Sequence, residues 1–127
     1  MNYYFSAQID KSFDEALDDV KEALKKEGFG VLTEIDVKET MKKKLDVEFR
    51  NYRILGACNP PFAHKALQAE DKIGTMLPCN VIVQEQNSRV EVAAIDPVAL
   101  MQAVENPGLA DVAEEIQKKL KTVIESL

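Results

Sequence analysis

Two cysteines, each followed by an asparagine and bordered by proline, are the residues of this chain best equipped for chemistry. They stand in Gly56-Ala57-Cys58-Asn59-Pro60-Pro61 and in Leu77-Pro78-Cys79-Asn80-Val81, and they are the only cysteines in the sequence. A thiol becomes a nucleophile, a redox group or a soft-metal ligand once it ionises. An asparagine amide offers two donors and one acceptor. Three uses of the pair are open. In the first, Cys58 lies near the start of a helix opening at Pro61, where the dipole favours a thiolate. With Cys79 it would cycle through a disulfide or hold a soft metal ion, although two thiols fall short of the four ligands of a closed zinc site. In the second, free amides at the helix start join the side chains of Asn59 and Asn80 as donors in a pocket for a small molecule or anion, with Pro60 on its rim. In the third the roles are structural: small thiols fill space, asparagines cap and turn, prolines stiffen.

The remaining candidates are few. Arg53 alternates out of phase with Ile54 inside an apolar strand. That position suits an uncovered sheet face, where it would contact a ligand or a second subunit, and equally suits a salt bridge. The single histidine, His64, sits between Ala63 and Lys65 and reads as a surface residue. No Ser-His-Asp order, glycine-rich phosphate loop or paired metal-binding histidines occur, so no catalytic residue and no cofactor are assigned and an enzyme is disfavoured. Lys42-Lys43-Lys44 reads as the wet face of a helix.

These residues need elements to hold them. Tyr3 to Ile9 reads as a first strand. Ser12 with Glu15 forms a capping box, and Phe13, Ala16, Leu17, Val20, Ala23 and Leu24 then recur at helical spacing until Gly28 stops the helix. Phe29 to Asp36 is a second strand, read with the first as a compact β-α-β unit. Val37 to Lys44 is a short amphipathic helix, and Phe49 plugs the core. Tyr52 to Cys58 is the third strand. Asn59 caps a short helix from Pro61 to Ala69 whose buried side is Phe62, Ala66 and Leu67. Glu70 to Met76 is a loop. Val81 to Glu85 and Arg89 to Ile95 form an antiparallel hairpin around Gln86-Asn87-Ser88. Asp96-Pro97 opens a helix that Asn106-Pro107-Gly108 interrupts. A last helix carries Leu109, Ala113, Ile116, Leu120, Val123, Ile124 and Leu127 on one stripe.

The order is β-α-β-β-β-β-α with a short inserted helix. It predicts an α+β fold, a curved, mostly antiparallel sheet with helices on one face. If strands three and four pair antiparallel, Cys58 closes one where Cys79 opens the other, and the two phrases become lips of one place. Val81-Ile82-Val83 and Ala93-Ala94-Ile95 barely alternate, which predicts burial on both sheet faces and a dimer formed through the sheet.

A chain of 127 residues is the length of one domain, 1–127, with enough apolar sequence for a core without metal or disulfide staples. Twenty-two acidic against sixteen basic residues give a net charge of −6, which repels nucleic acid and anionic membranes. No apolar run approaches the ~20 residues that span a bilayer, and the N-terminus lacks a signal-peptide pattern, so a cytoplasmic location with reduced thiols is expected.

The two cysteine phrases, together with Tyr52-Arg53-Ile54-Leu55 before the first and Asp96-Pro97 after the second, resemble the bacterial and archaeal family called domain of unknown function number 302. The resemblance covers nearly the whole chain. It implies a β-α-β4-α fold like one repeat of the TATA-binding protein, and a homodimer. It implies no biochemical activity, and likeness of fold to a DNA-binding protein does not transfer that function. The expectation is a binding or accessory module for an unknown small molecule, sited at Cys58, Asn59, Pro60, Cys79, Asn80 and Arg53. The alternative is a thiol-dependent redox or soft-metal-handling protein using Cys58 and Cys79.

Overall fold

The computed structural model describes residues 2–127. Five strands, β1 (Tyr4–Ile9), β2 (Gly30–Asp36), β3 (Tyr52–Cys58), β4 (Cys79–Gln86) and β5 (Arg89–Ile95), form one sheet in the order β1-β5-β4-β3-β2. All four pairings are antiparallel. The α+β class and the β-α-β-β-β-β-α order follow the sequence expectation. The compact β-α-β unit does not: β1 and β2 are the two edges of the sheet, with three strands between them. Helix α1 (Phe13–Lys26) is what separates them. Its 14 residues span ~21 Å, and four strand spacings span ~19 Å, so the helix is long enough to cross the sheet in one pass.

Local chemistry fixes the ends of α1. Ser12 accepts from the Glu15 amide while the Glu15 carboxylate accepts from the Ser12 amide, completing the capping box. Gly28 ends the helix at φ +84°, a conformation costly for any residue with a Cβ. All six apolar positions read from the sequence are buried. They meet Leu55, Ala57, Val81, Val83, Val92 and Ala94 from one sheet face, and Ile116, Leu120, Val123 and Ile124 from α5 (Ala110–Glu125). The β4–β5 hairpin turns on Asn87 and Ser88, both at positive φ, as a two-residue turn matched to strand twist requires.

The shorter elements depart further from expectation. Helix α2 (Val37–Leu45) forms but buries none of its residues, and Phe49 is half-buried beside Arg50 and Tyr52 instead of plugging the core. Helix α3 runs Pro60–Ala69, one residue earlier than read, and buries only Ala66; Leu67 is exposed. The expected loop contains a 3-10 turn, Ile73–Met76, that buries Ile73. Helix α4 stops early, at Pro97–Met101, and a second 3-10 turn, Pro107–Leu109, leads into α5. Ala66, Ile73 and Leu109 form a small second core beneath α3, apart from the main one.

No helix among the described residues is long and apolar enough to cross a membrane.

Candidate functional site

Antiparallel pairing of β3 with β4 sets Ala57 opposite Cys79 and Gly56 opposite Asn80. Cys58 is one residue past the last pair, so the two cysteines sit at the same end of the sheet. Both are free thiols, Cys79 buried and Cys58 half-buried. They line one cavity of about 280 Å³. Burial, with a smaller contribution from neighbouring Cys58, pushes the Cys79 thiol up to about 11 from its ordinary 9.0. At neutral pH Cys79 is therefore a protonated, weakly nucleophilic thiol.

The cavity occupies the gap between the two cores. Its floor is the end of the sheet, with Ala57 and Cys79; its walls are Phe62 and Ala66 of α3, Met101 of α4, and Val112 and Ile116 of α5. Among the lining residues only Asn59 carries a side-chain nitrogen or oxygen; the others are apolar residues, cysteine or methionine. A bulge in β2, between Val31 and Thr33, adds Leu32 to the lining although that side chain is largely exposed. Bulges re-aim side chains in this way beside sites. Gly56 permits the close packing behind the floor. A Cβ there would lie 2.2 Å from Thr33 Oγ1 and 2.8 Å from Pro78 Cγ.

Asn59 is buried, at 7% exposure, and holds the N-cap position of α3. Its side chain makes no capping bond. Nδ2 instead donates to the Glu27 carbonyl at 3.2 Å, joining the start of α3 to the end of α1. The donors expected at the helix start are also reduced. Pro60 and Pro61 fill the first two positions and carry no N–H. That weakens the case for an anion, as does the absence of any cationic lining residue.

The other sequence candidates lie elsewhere. Pro60 is exposed and not part of the lining. Because β4 starts at Cys79 and not at Val81, Cys79 and Asn80 are successive strand residues and point to opposite faces. Asn80 lines a hollow of about 380 Å³ on the uncovered face. Arg53 shares sheet parity with Leu55 and Ala57, so it lies on the helix-covered side and not on the open one. There it bonds Glu34 at 2.5 Å and Asp36 at 3.2 Å. Lys21 of α1 joins Glu34 at 2.7 Å, and this pair with Arg53 holds the Glu34 carboxyl below its usual range. His64 is exposed. No group of three or more His, Cys, Asp or Glu able to hold a metal occurs among the described residues.

Sequence reading missed the far wall. In the sequence Met101 only continues the helix after Pro97, Leu109 belongs to the apolar stripe of the last helix, and Val112 has no role. The signal was Asn106-Pro107-Gly108, which breaks the C-terminal helical stretch and leaves the helix layer open above the sheet end. Asn106 also fastens this wall: its Nδ2 donates to the Ala69 carbonyl at 2.8 Å and to Glu70 Oε1 at 3.2 Å.

Comparison with known proteins agrees with this architecture. The crystal structure of an uncharacterized conserved protein, DUF302, from Bacillus stearothermophilus matches with a TM-score of 0.92 and 28% identity, covering 98% of each chain. No curated protein matches. The profile of the family described as domain of unknown function DUF302 matches residues 5–127, and the chain belongs to that family.

Proposed function

We propose that the protein binds a small, predominantly apolar molecule in the cavity between α3, α5 and the end of the sheet. The observation that carries this reading is a space of about 280 Å³ lined almost wholly by hydrocarbon and walled on both the sheet and helix sides. Ligand sites are concave, mostly apolar and furnished with a few polar groups. The hollow at Asn80 is larger, but its lining is more polar and includes Asn80, Gln84 and the charged Glu91. The thiol-chemistry alternative is weaker, because burial disfavours ionisation of Cys79. The test is thermal unfolding with excess 1-octanol. Binding to the folded state alone raises Tm with ligand concentration. Ala63→Leu, which adds bulk at a half-buried lining position, should remove most of that rise. An equal rise in the variant and the parent would contradict the assignment.

A second copy of the chain covering the open sheet face is the other element of the proposal. One observation favours it: by register, the sixteen side-chain positions of that face include only Arg89 and Glu91 as charges, in a chain that is 30% charged. Depletion of charge marks interface centres. Ile35, Ile54, Ile82 and Ala93 make an apolar row across it, flanked by Asn80, Gln84 and Gln8. Amides both donate and accept, so they suit contact with their own copies across a two-fold axis.

A further inference from the structure

Resting on the reading of the cavity as a ligand site, we infer that its ligand is an uncharged molecule carrying one hydrogen-bond donor, a hydroxyl or an N–H, received by Asn59 Oδ1. The Glu27 carbonyl can only accept, so the amide group facing it must be Nδ2. That orientation leaves Oδ1 as the free end of the side chain. Among the described residues no donor bonds Oδ1, and no side-chain polar atom is both sealed from solvent-sized space and unpartnered. Asn59 is 7% exposed and is a lining residue of the cavity, so the water-sized space that reaches Oδ1 is assigned to that cavity.

An unfilled acceptor in such a setting selects its partner. A ligand donor satisfies it; a ketone or ether oxygen leaves two acceptors facing each other. A carboxylate fares worse, since no cationic side chain lines the cavity and an unpaired buried charge is strongly disfavoured. Lys65 and Lys119 lie 5.4 and 5.9 Å from the centre of the Phe62 ring, but neither is a lining residue. Size narrows the class further. A cavity of ~150 Å³ holds benzene, so about 280 Å³ admits roughly eleven non-hydrogen atoms. The ligand class is thus a medium-chain alcohol, a phenol or a primary amide of that size.

The experiment is calorimetric titration of the full chain with three probes of matched length: 1-octanol, 2-octanone and octanoate. The alcohol should bind about tenfold more tightly than the ketone, the loss expected when one buried acceptor goes unpaired. Octanoate should bind least well. Asn59→Leu should make the alcohol and the ketone equal; should that variant not fold, the three-probe comparison in the parent still decides. Equal affinity for alcohol and ketone, or preference for octanoate, overturns the assignment of Asn59 while leaving the cavity a ligand site. No binding by any probe at millimolar concentration overturns the cavity reading itself.

Discussion

Cys79 and Asn59 show how residues of one motif take different roles once placed. Cys79 lies inside a strand on the covered face, where loss of solvent raises its pKa to about 11. Alkylation at pH 8 should therefore label Cys58 first, with Cys79 reacting only as pH approaches 11 or the chain unfolds; equal labelling by mass spectrometry would refute this. Stability is linked to the same shift. The unfolded thiol ionises near 9, the folded one near 11, so the stabilisation is complete below pH 9 and is lost as pH rises toward 11. Tm should fall over that window, and Cys79→Ala should flatten the fall. Gly56 is a third case. A methyl there collides with Thr33 and Pro78, and Gly56→Ala should lower stability by about 1–3 kcal/mol in urea unfolding. The pairing of cysteine with asparagine was visible in the sequence, but its meaning was not. Strand parity sends Asn80 to the other face, and parity depends on where β4 begins.

Among the elements, those with strong periodicity were legible and those held by distant contacts were not. The register of α1 follows from its capping box and six apolar positions. Replacing Ser12 by Ala should cost about 1 kcal/mol, seen as a lower urea midpoint with unchanged slope. Helix α3 has no such internal logic. Two asparagine amides tie it to distant segments: its own N-cap, Asn59, donates to the Glu27 carbonyl after α1, and Asn106 donates to the Ala69 carbonyl at its other end. Contacts between residues 37 positions apart leave no mark on local pattern. Asn106→Ala should speed amide exchange in α3 well before it does so in α1; parallel changes in both helices would argue that α3 is not separately anchored.

At the scale of the molecule, the α+β class followed from element order, whereas strand order did not. The long reach of α1 places β1 and β2 at opposite edges, and a sequence contains no statement of that crossing. One face carries two cores and the cavity between them; the other carries an almost uncharged sheet. Sedimentation equilibrium at micromolar concentration should give a dimer, and Ile82→Lys, a charge in the middle of the apolar row, should give a monomer with its fold intact. A parent monomer at that concentration would exclude the sheet-to-sheet dimer. The cavity claim stands apart from that result and is tested most directly by proton–nitrogen correlation spectra during titration with 1-octanol. Saturable shifts should concentrate at Cys58, Asn59, Phe62, Ala66 and Cys79, around the cavity. Shifts centred instead on Tyr52, Ile82 and Ala93, or none at all, would contradict the assignment of that cavity as the binding site.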